Sequence, residues 1–323
     1  MHKIRVGVLR GGPSSEYDVS LKTGGAVLKH LPEKYQAHDI FISKDGAWHF
    51  EGVVKTPGEI LRKVDVIFNA MHGEFGEDGK VQAILDDFSM PYTGSGSLAS
   101  ALGMNKILAK QVFLSNGIKT PLHVTVNIQD QGLQNQVMNI FKKFPMPVVV
   151  KPATTGSSVG VSIAHDFFEL NEAIQNASQY SQDILIEEFI RGREATCGIL
   201  NHFRGEETYA LLPVEIIPPP KNGFFDYKAK YEGETKEICP GNFSEEEKKE
   251  IQRLASLAHK ALDLKHYSRS DFIISPKRGI YILEVNTLPG LTEQSLYPKS
   301  LHAIGSNIPE FLDHVITLAI KKK

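Results

Sequence analysis

Cysteine is nearly absent from this chain: Cys197 and Cys239 are the two among 323 residues, 42 positions apart and without ligand-type neighbours. That argues against a disulfide framework and against a zinc site, and reduced thiols are expected. No run reaches the roughly 18 apolar residues that a membrane-spanning helix needs. Met1-His2-Lys3 passes directly into the alternation IRVGVL with no signal-peptide core, so a soluble cytoplasmic protein is expected. Charge of one sign is lacking too. With 36 Lys and Arg against 38 Asp and Glu, the formal net charge is −2, which leaves no electrostatic footprint for nucleic acid or an acidic membrane. The closing Lys321-Lys322-Lys323 reads as a solubilising tail. Neither GxGxxG nor the Walker spacing GxxxxGK followed by Ser or Thr occurs, and there is no internal repeat or low-complexity segment.

At this length two or three domains of about 100–150 residues are expected. The chain opens as strand, loop and helix: Ile4 to Leu9, then Gly11-Gly12-Pro13-Ser14-Ser15, then Val19 to Leu31. Glu16 stands near the helix N-terminus, where a carboxylate suits the dipole and also suits an ammonium ligand; plain capping is the alternative. A second strand, Val64 to Ala70, leads into MHGEFGEDG and the helix Lys80 to Phe88. His72 falls at the end of a buried strand, where α/β domains place ligands, although a lone loop histidine is also commonly structural. Pro91 to Gly96 reads as a domain boundary. One amphipathic helix is expected from Leu98 to Asn116, stopped by Gly117. Pro147 to Pro152 is a buried strand delivering Lys151 to the loop Thr154-Thr155-Gly156-Ser157-Ser158-Val159-Gly160, whose amides and hydroxyls suit phosphate oxygens. ILIEEFI (184–190) reads as a strand with Glu194 to Leu200 as its hairpin partner. Some 26 residues from Pro218 to Phe243 are rich in Pro, Gly and charge, above the length of about 12–15 at which an irregular loop is usually functional or disordered. Ser244 and Glu247 form a capping box for a helix reaching about Leu264.

The densest chemistry lies in DFIISPKRGIYILEVN (271–286). DFII and IYILEV are strand-like, and Pro276-Lys277-Arg278-Gly279 is turn material. Counting outward with Ser275 opposite Ile280, Asp271 falls opposite Glu284, and Glu284 shares a face with Asn286. Opposed side chains have Cβ atoms about 4.5–5.5 Å apart and like charges there repel, so a cation is expected between them. Two carboxylates and an amide oxygen are hard ligands of the Mg²⁺ type. A solvated hairpin face with incidental acids is the alternative.

GGPSSEYDVSLKTGG, HGEFGEDGKVQ, KP followed by GSSVG, DYKAKY, SRSDF and LEVNTLPGLTEQSL occur in that order over almost the whole chain. In this combination they resemble the D-alanine-D-alanine ligase family of the ATP-grasp superfamily. The resemblance implies an α/β, three-domain ATP-grasp fold: an N-terminal Rossmann-like (preATP-grasp) domain over 1–96, a central α+β ATP-grasp subdomain over 97–187, and a C-terminal one over 188–323 with a lid loop at 218–243. It implies ATP held by Lys106, Lys151, Glu187, Glu188, Ile190 and Glu194, with Lys230 reaching its phosphates. It implies two Mg²⁺ ions (or Mn²⁺) on Asp271, Glu284 and Asn286. Glu16, with His72 nearby, would receive the first D-alanine, and Glu16, Ser157 and Tyr231 would lock the lid. Arg269 and the Gly290 amide would stabilise the tetrahedral intermediate, and Ser295 and Leu296 would take the second D-alanine. A homodimer is also implied. Tyr231, neutral at pH 7, points to an amine nucleophile over D-lactate. Departures from the family pattern are Tyr17, Asn105, and Thr154-Thr155 before GSSVG. A nicotinamide dehydrogenase is disfavoured by the missing GxGxxG. A non-catalytic nucleotide binder would be expected to have lost Asp271, Glu284, Arg269 or Lys230, and all four are present. The rivals within the family make D-alanyl-D-lactate, D-alanyl-D-serine or another dipeptide.

Overall fold

The computed structural model describes residues 3–218 and 235–321, whose strands fall into three sheets. The first contains β1 (Ile4–Gly11), β2 (Tyr35–Ile42), β3 (Trp48–Phe50), β4 (Val53–Val54) and β5 (Val66–Asn69), in the order β4-β3-β2-β1-β5. β2, β1 and β5 are parallel, and the run VIFN of β5 is buried along its length, as parallel strands covered on both faces require. With it come α1 (Tyr17–His30), α2 (Pro57–Leu61) and α3 (Lys80–Asp87).

The second sheet holds β6 (His123–Asn127), β7 (Val148–Pro152), β8 (Ser162–Ala164) and β9 (Asp183–Glu188), ordered β6-β9-β7-β8 with every pair antiparallel. Helices α6 (Leu133–Lys143) and α7 (Phe167–Ser178) pack on it through Val137, Leu170 and Ile174. The third sheet holds β10 (Arg193–Phe203), β11 (Glu206–Ala210), β12 (Val214–Ile217), β13 (Lys236–Ile238), β14 (Tyr267–Ser275) and β15 (Gly279–Asn286). Its order is β13-β12-β10-β14-β15, with β11 also on β10.

Two helices, α4 (Ser97–Met104) and α5 (Lys106–Ser115), share a core with the third sheet and with α8 (Glu245–Ala261). Ala109 and Phe113 meet Phe272, Ile282 and Leu254 in that core. The last helices, α9 (Leu296–Ala303) and α10 (Ile308–Lys321), return to the start of the chain. Phe311 and Val315 of α10 pack in one cluster with Val6, Val8 and Phe68 of the first sheet and Tyr267 of the third. Phe311 meets Tyr267 edge-on, centroids 5.1 Å apart at 89°, a favourable aromatic geometry.

Four local expectations need correction. The segment 98–116 is two helices because Asn105 is extended (φ −85°, ψ 104°) and its side chain accepts from Ile107 N (3.0 Å) and Leu108 N (3.1 Å), an N-cap in mid-pattern. β9 and β10 are not a hairpin. β9 has both edges taken by β6 and β7, whereas β10 pairs with β11, β12 and β14. Gly192 marks the crossing between sheets, since a Cβ there would lie 2.4 Å from Ile274 O. The stretch 218–243 includes the strand β13, paired with β12; residues 219–234 lie outside those described. In the β14–β15 hairpin Ser275 pairs with Gly279, not Ile280, yet Asp271 still faces Glu284. A β-bulge between Asp271 and Phe272 pairings leaves Leu283 as the extra residue and restores the register. The capping box of α8 is present: Ser244 Oγ accepts from Glu247 N at 3.2 Å and Glu247 Oε2 from Ser244 N at 2.8 Å.

His259 of α8 is 1% exposed, and its Nδ1 lies 2.7 Å from Ser268 Oγ. Burial, aided by the charge of Lys260, pushes its pKa down to about 4. The folded protein thus keeps this ring neutral where the unfolded chain protonates it, and stability is lost as pH falls from the ordinary histidine value towards 4. In a His259→Gln variant the destabilisation relative to the parent should be about 2 kcal/mol smaller at pH 5 than at pH 7. Urea unfolding at both pH values checks this; an equal difference at both would refute it.

Candidate active site

A cavity of about 330 Å³ is bounded by the loop after β1, the loop after β7 and the β14–β15 hairpin with the segment that follows it. Its walls include Glu16, His72, Lys106, Lys151, Ser157, Glu194, Arg269, Asp271, Glu284, Asn286, Gly290, Ser295 and Leu296. Three sheets therefore each supply part of one site.

On the hairpin, Arg269 and Asp271 lie two apart on one face of β14, which puts the guanidinium over the carboxylate. Arg269 Nε donates to Asp271 Oδ1 and Arg269 Nη2 to Oδ2, both at 2.9 Å. Thr196 Oγ1 also donates to Oδ1, at 2.6 Å. Burial opposes the Arg269 charge, but Asp271, joined by Glu284 and Glu77, more than offsets it and the pKa rises above its ordinary value. Opposite, Lys106 Nζ sits 3.5 Å from Glu284 Oε2. Both acids of the opposed pair thus have a cation at hand. Lys106 also donates to Thr155 O, a main-chain acceptor that any residue at this position would offer, while Thr155 Oγ1 donates to Val159 O at 3.1 Å. Asn286 Oδ1 accepts from Leu288 N at 3.1 Å. Among the described residues there is no cluster of three or more His, Cys, Asp or Glu able to hold a metal. The donor set here is two carboxylates and an amide oxygen, all hard oxygens of the type Mg²⁺ takes.

Glu16, at the N-terminus of α1, makes no capping bond to its own helix. Its Oε1 accepts from Ser157 Oγ across 141 positions of sequence. Gly156 makes this approach feasible, since a Cβ there would lie 2.3 Å from Glu16 Oε2. Ser157 and Ser158 are held at φ 48° and 58°, in the left-handed region; such strain, about 1 kcal/mol or more per residue, persists where the surroundings enforce it and clusters at functional loops. Tyr17 stays off the cavity wall: its ring packs edge-on against Phe41, with Lys44 Nζ 4.8 Å from its centroid. His72 is 3% exposed, its Nε2 lies 2.8 Å from Thr23 Oγ1, and burial with the nearby Arg269 charge lowers its pKa to about 4, so it is neutral at pH 7.

Glu187, Glu188 and Ile190 do not line the cavity. Glu187 is 1% exposed, with Oε1 2.8 Å from Lys151 Nζ and Oε2 3.2 Å from Lys110 Nζ. Glu188 accepts from the two terminal guanidinium nitrogens of Arg278, at 2.7 and 2.9 Å, and from Leu122 N at 3.0 Å. Ile190 packs with Ile273, Tyr281 and Leu283. Ser295 opens α9, with its Oγ 2.7 Å from Thr292 Oγ1, and Leu296 is that helix's first residue. Lys230 and Tyr231 lie outside the described residues.

Sequence reasoning passed over two buried residues beside the site. Glu77 accepts from Gly73 N at 2.7 Å and from Leu288 N at 3.1 Å. Burial and the Glu16 charge push its pKa up to about 8, against the pull of those two donors. Lys110 is the other. Nothing in HGEFGEDG singles out Glu77 from its acidic neighbours, whereas Lys110 was visible as a lysine four residues after Lys106 on an otherwise apolar stripe.

The three-sheet arrangement around one such cavity is the ATP-grasp fold, and it is shared with solved structures. These include the VanG D-Ala:D-Ser ligase from Enterococcus faecalis (TM-score 0.85, 30% identity, 98% of this chain and 100% of that one). They also include D-alanyl-alanine synthetase A from Vibrio cholerae (TM-score 0.87, 27% identity, 100% of both chains). A family model described as D-ala D-ala ligase C-terminus matches residues 112–317, and one described as D-ala D-ala ligase N-terminus matches 5–59 and 50–95. A D-alanine–D-alanine ligase of Geobacter sulfurreducens is 40% identical over 98% of this chain and 94% of its own length. One of Bacillus pumilus is 36% identical over 99% and 97%. This chain belongs to the D-alanine–D-alanine ligase family.

Replacing Glu77 by Leu leaves the Gly73 N–H buried without its acceptor and leaves Leu288 N with Asn286 Oδ1 alone, at about 1–3 kcal/mol for the unsatisfied donor. Glu77→Leu should lower unfolding stability by at least the smaller of those amounts, read by urea denaturation; parent-like stability would show that water replaces the carboxylate.

Proposed function

We propose that this chain joins two D-alanine molecules into D-alanyl-D-alanine, with cleavage of one ATP to ADP and phosphate, for peptidoglycan precursor synthesis. The observation that carries this reading is the shared cavity: Glu16, Arg269, two lysines and the Asp271/Glu284/Asn286 oxygen set open onto one space, in a chain whose relatives bear the ligase name. Lys106 and Lys151 suit the phosphates, and Glu194 the nucleotide. Glu187, Glu188 and Ile190 would serve through main-chain atoms, because both carboxylates are already engaged. Asp271, Glu284 and Asn286 fit two Mg²⁺ ions, with Mn²⁺ as a substitute; such ions withdraw charge from phosphoryl oxygens, the main source of acceleration in phosphoryl transfer.

Glu16 receives the ammonium of the first D-alanine, with the neutral His72 beside it adding no competing charge. The carboxylate oxygen of that D-alanine attacks the γ-phosphorus, the bond to the β,γ-bridging oxygen breaks, and ADP leaves an acyl phosphate. Exclusion of water protects this species. The second D-alanine, held by Ser295 and Leu296, loses a proton from its ammonium and attacks the carbonyl carbon. Arg269 and the Gly290 N–H hold the resulting oxyanion until the nitrogen gives up its second proton and phosphate departs with its electron pair. The roles of Lys230 and Tyr231 at the lid, the homodimer and the cytoplasmic location rest on the family resemblance.

Glu284→Gln removes one charge from the metal set with little change of shape, and ATP turnover should fall roughly 100-fold or more while the circular dichroism spectrum stays that of the parent. Mg²⁺-dependent turnover near the parent rate would sink the metal assignment.

The similar D-Ala:D-Ser ligase makes D-serine, beside D-lactate, the competitor to test at the second subsite. With D-alanine, D-serine and D-lactate supplied together at pH 7, mass spectrometry should find D-alanyl-D-alanine as the main product. A majority of either mixed product would overturn the specificity and leave the ligase chemistry standing.

A further inference from the structure

Lys110 follows Lys106 by one turn of α5 but faces away from the cavity, 1% exposed. Its Nζ donates to Thr120 Oγ1 at 2.5 Å and sits 3.2 Å from Glu187 Oε2. The other oxygen, Glu187 Oε1, lies 2.8 Å from Nζ of Lys151, which does line the cavity. A lysine-carboxylate-lysine triad thus runs from the interior of α5, through β9, to the cavity wall on β7. Packing does not account for it. A buried ammonium carries a desolvation cost that a hydrophobic residue of similar volume would avoid, and Lys110 bears that cost without touching the site. Burial lowers its pKa to about 8, whereas Lys151 stays above its ordinary value. The ammonium held least favourably is the one away from the cavity, and the one at the cavity wall is kept charged.

We propose that Lys110 is a positioning residue for the nucleotide: by occupying one oxygen of Glu187 it keeps that carboxylate from closing on Lys151 with both oxygens, so that the Lys151 ammonium remains available to the phosphates of ATP. This rests on the ATP-dependent reading above. The charge arithmetic makes it testable. Two lysines and one glutamate leave the triad with one net positive charge. Lys110→Met brings it to neutrality, with both Glu187 oxygens free to turn to Lys151. The double variant Lys110→Met/Glu187→Gln restores one positive charge and releases Lys151.

The experiment is calorimetric titration of the full chain, with Mg²⁺, against ADP and the β,γ-imido analogue of ATP, alongside KM for D-alanine. Lys110→Met should bind the analogue about ten-fold more weakly, with D-alanine KM changed less than about two-fold. The double variant should return to within about three-fold of the parent. A purely structural role predicts the opposite order, with the double variant at least as weak as the single one, and that order overturns the proposal. So does parent-like binding by folded Lys110→Met. Thr120→Val, which keeps every charge and only loosens Lys110, should weaken analogue binding roughly two- to five-fold. If Lys110→Met does not fold, Thr120→Val decides, and parent-like affinity in it overturns the proposal. A parent protein that binds neither nucleotide would instead overturn the ATP reading itself.

Discussion

Two carboxylates facing each other across one hairpin are the constraint around which this molecule is arranged. Asp271 pairs with Glu284, and like charges opposed at that spacing destabilise a ladder unless positive charge is brought to them. Here it comes from two directions. Arg269, two residues before Asp271, forks onto both of its oxygens, and Lys106 arrives from α5 to Glu284. For Lys106 to reach, α5 must begin beside the hairpin, and it does because Ala109 and Phe113 are buried in the core of the third sheet. Electrostatics at the site and packing under it thus fix the same helix.

The cavity needs parts from three sheets, and nothing in a single sheet holds the others in register with it. Apolar packing does part of this: α10 lies in one cluster with the first sheet and with Tyr267 of the third. Polar links do the rest, close to the site. Arg278, in the turn of the hairpin, reaches Glu188 of the second sheet, and Ile282 N donates to Lys119 O at 2.9 Å. Glu77, between β5 and α3, receives Leu288 N from beyond β15.

How much of this was legible follows from the range of each interaction. Strands β1, β7 and β14–β15 and the capping box of α8 are local patterns, visible in composition and spacing. The facing of Asp271 and Glu284 was legible for a reason that did not hold: the turn is one residue tighter than counting from its centre suggests, and the bulge at Leu283 makes up the difference. The break at Asn105 was legible in principle, because Asn two and three residues before unpaired N–H groups is a cap, but an apolar stripe runs through it and masks the signal. The pairing of β9 was not legible. Arg191-Gly192 looks like turn chemistry, and only the presence of β6 and β7, separated from β9 by helices, decides which edge β9 offers to whom.

The same distinction separates the motif residues from those that hold them. Glu16, Asp271 and Glu284 sit in stretches whose composition advertises chemistry. Glu77 carries no such signal, and Glu187 and Glu188 enter only through the family resemblance; each has both carboxyl oxygens engaged, and each joins segments distant in sequence: Gly73 with Leu288, Lys110 with Lys151, Leu122 with Arg278. A buried carboxyl group with one oxygen unpaired costs free energy, and with both paired it restrains two partners at once in a medium where hydrogen bonds are strengthened. Such a group acts as a short rigid tie. Three of them around one cavity fix the relative positions of its walls without lining it, and the spacing of a motif does not show which distant partners such a group will hold.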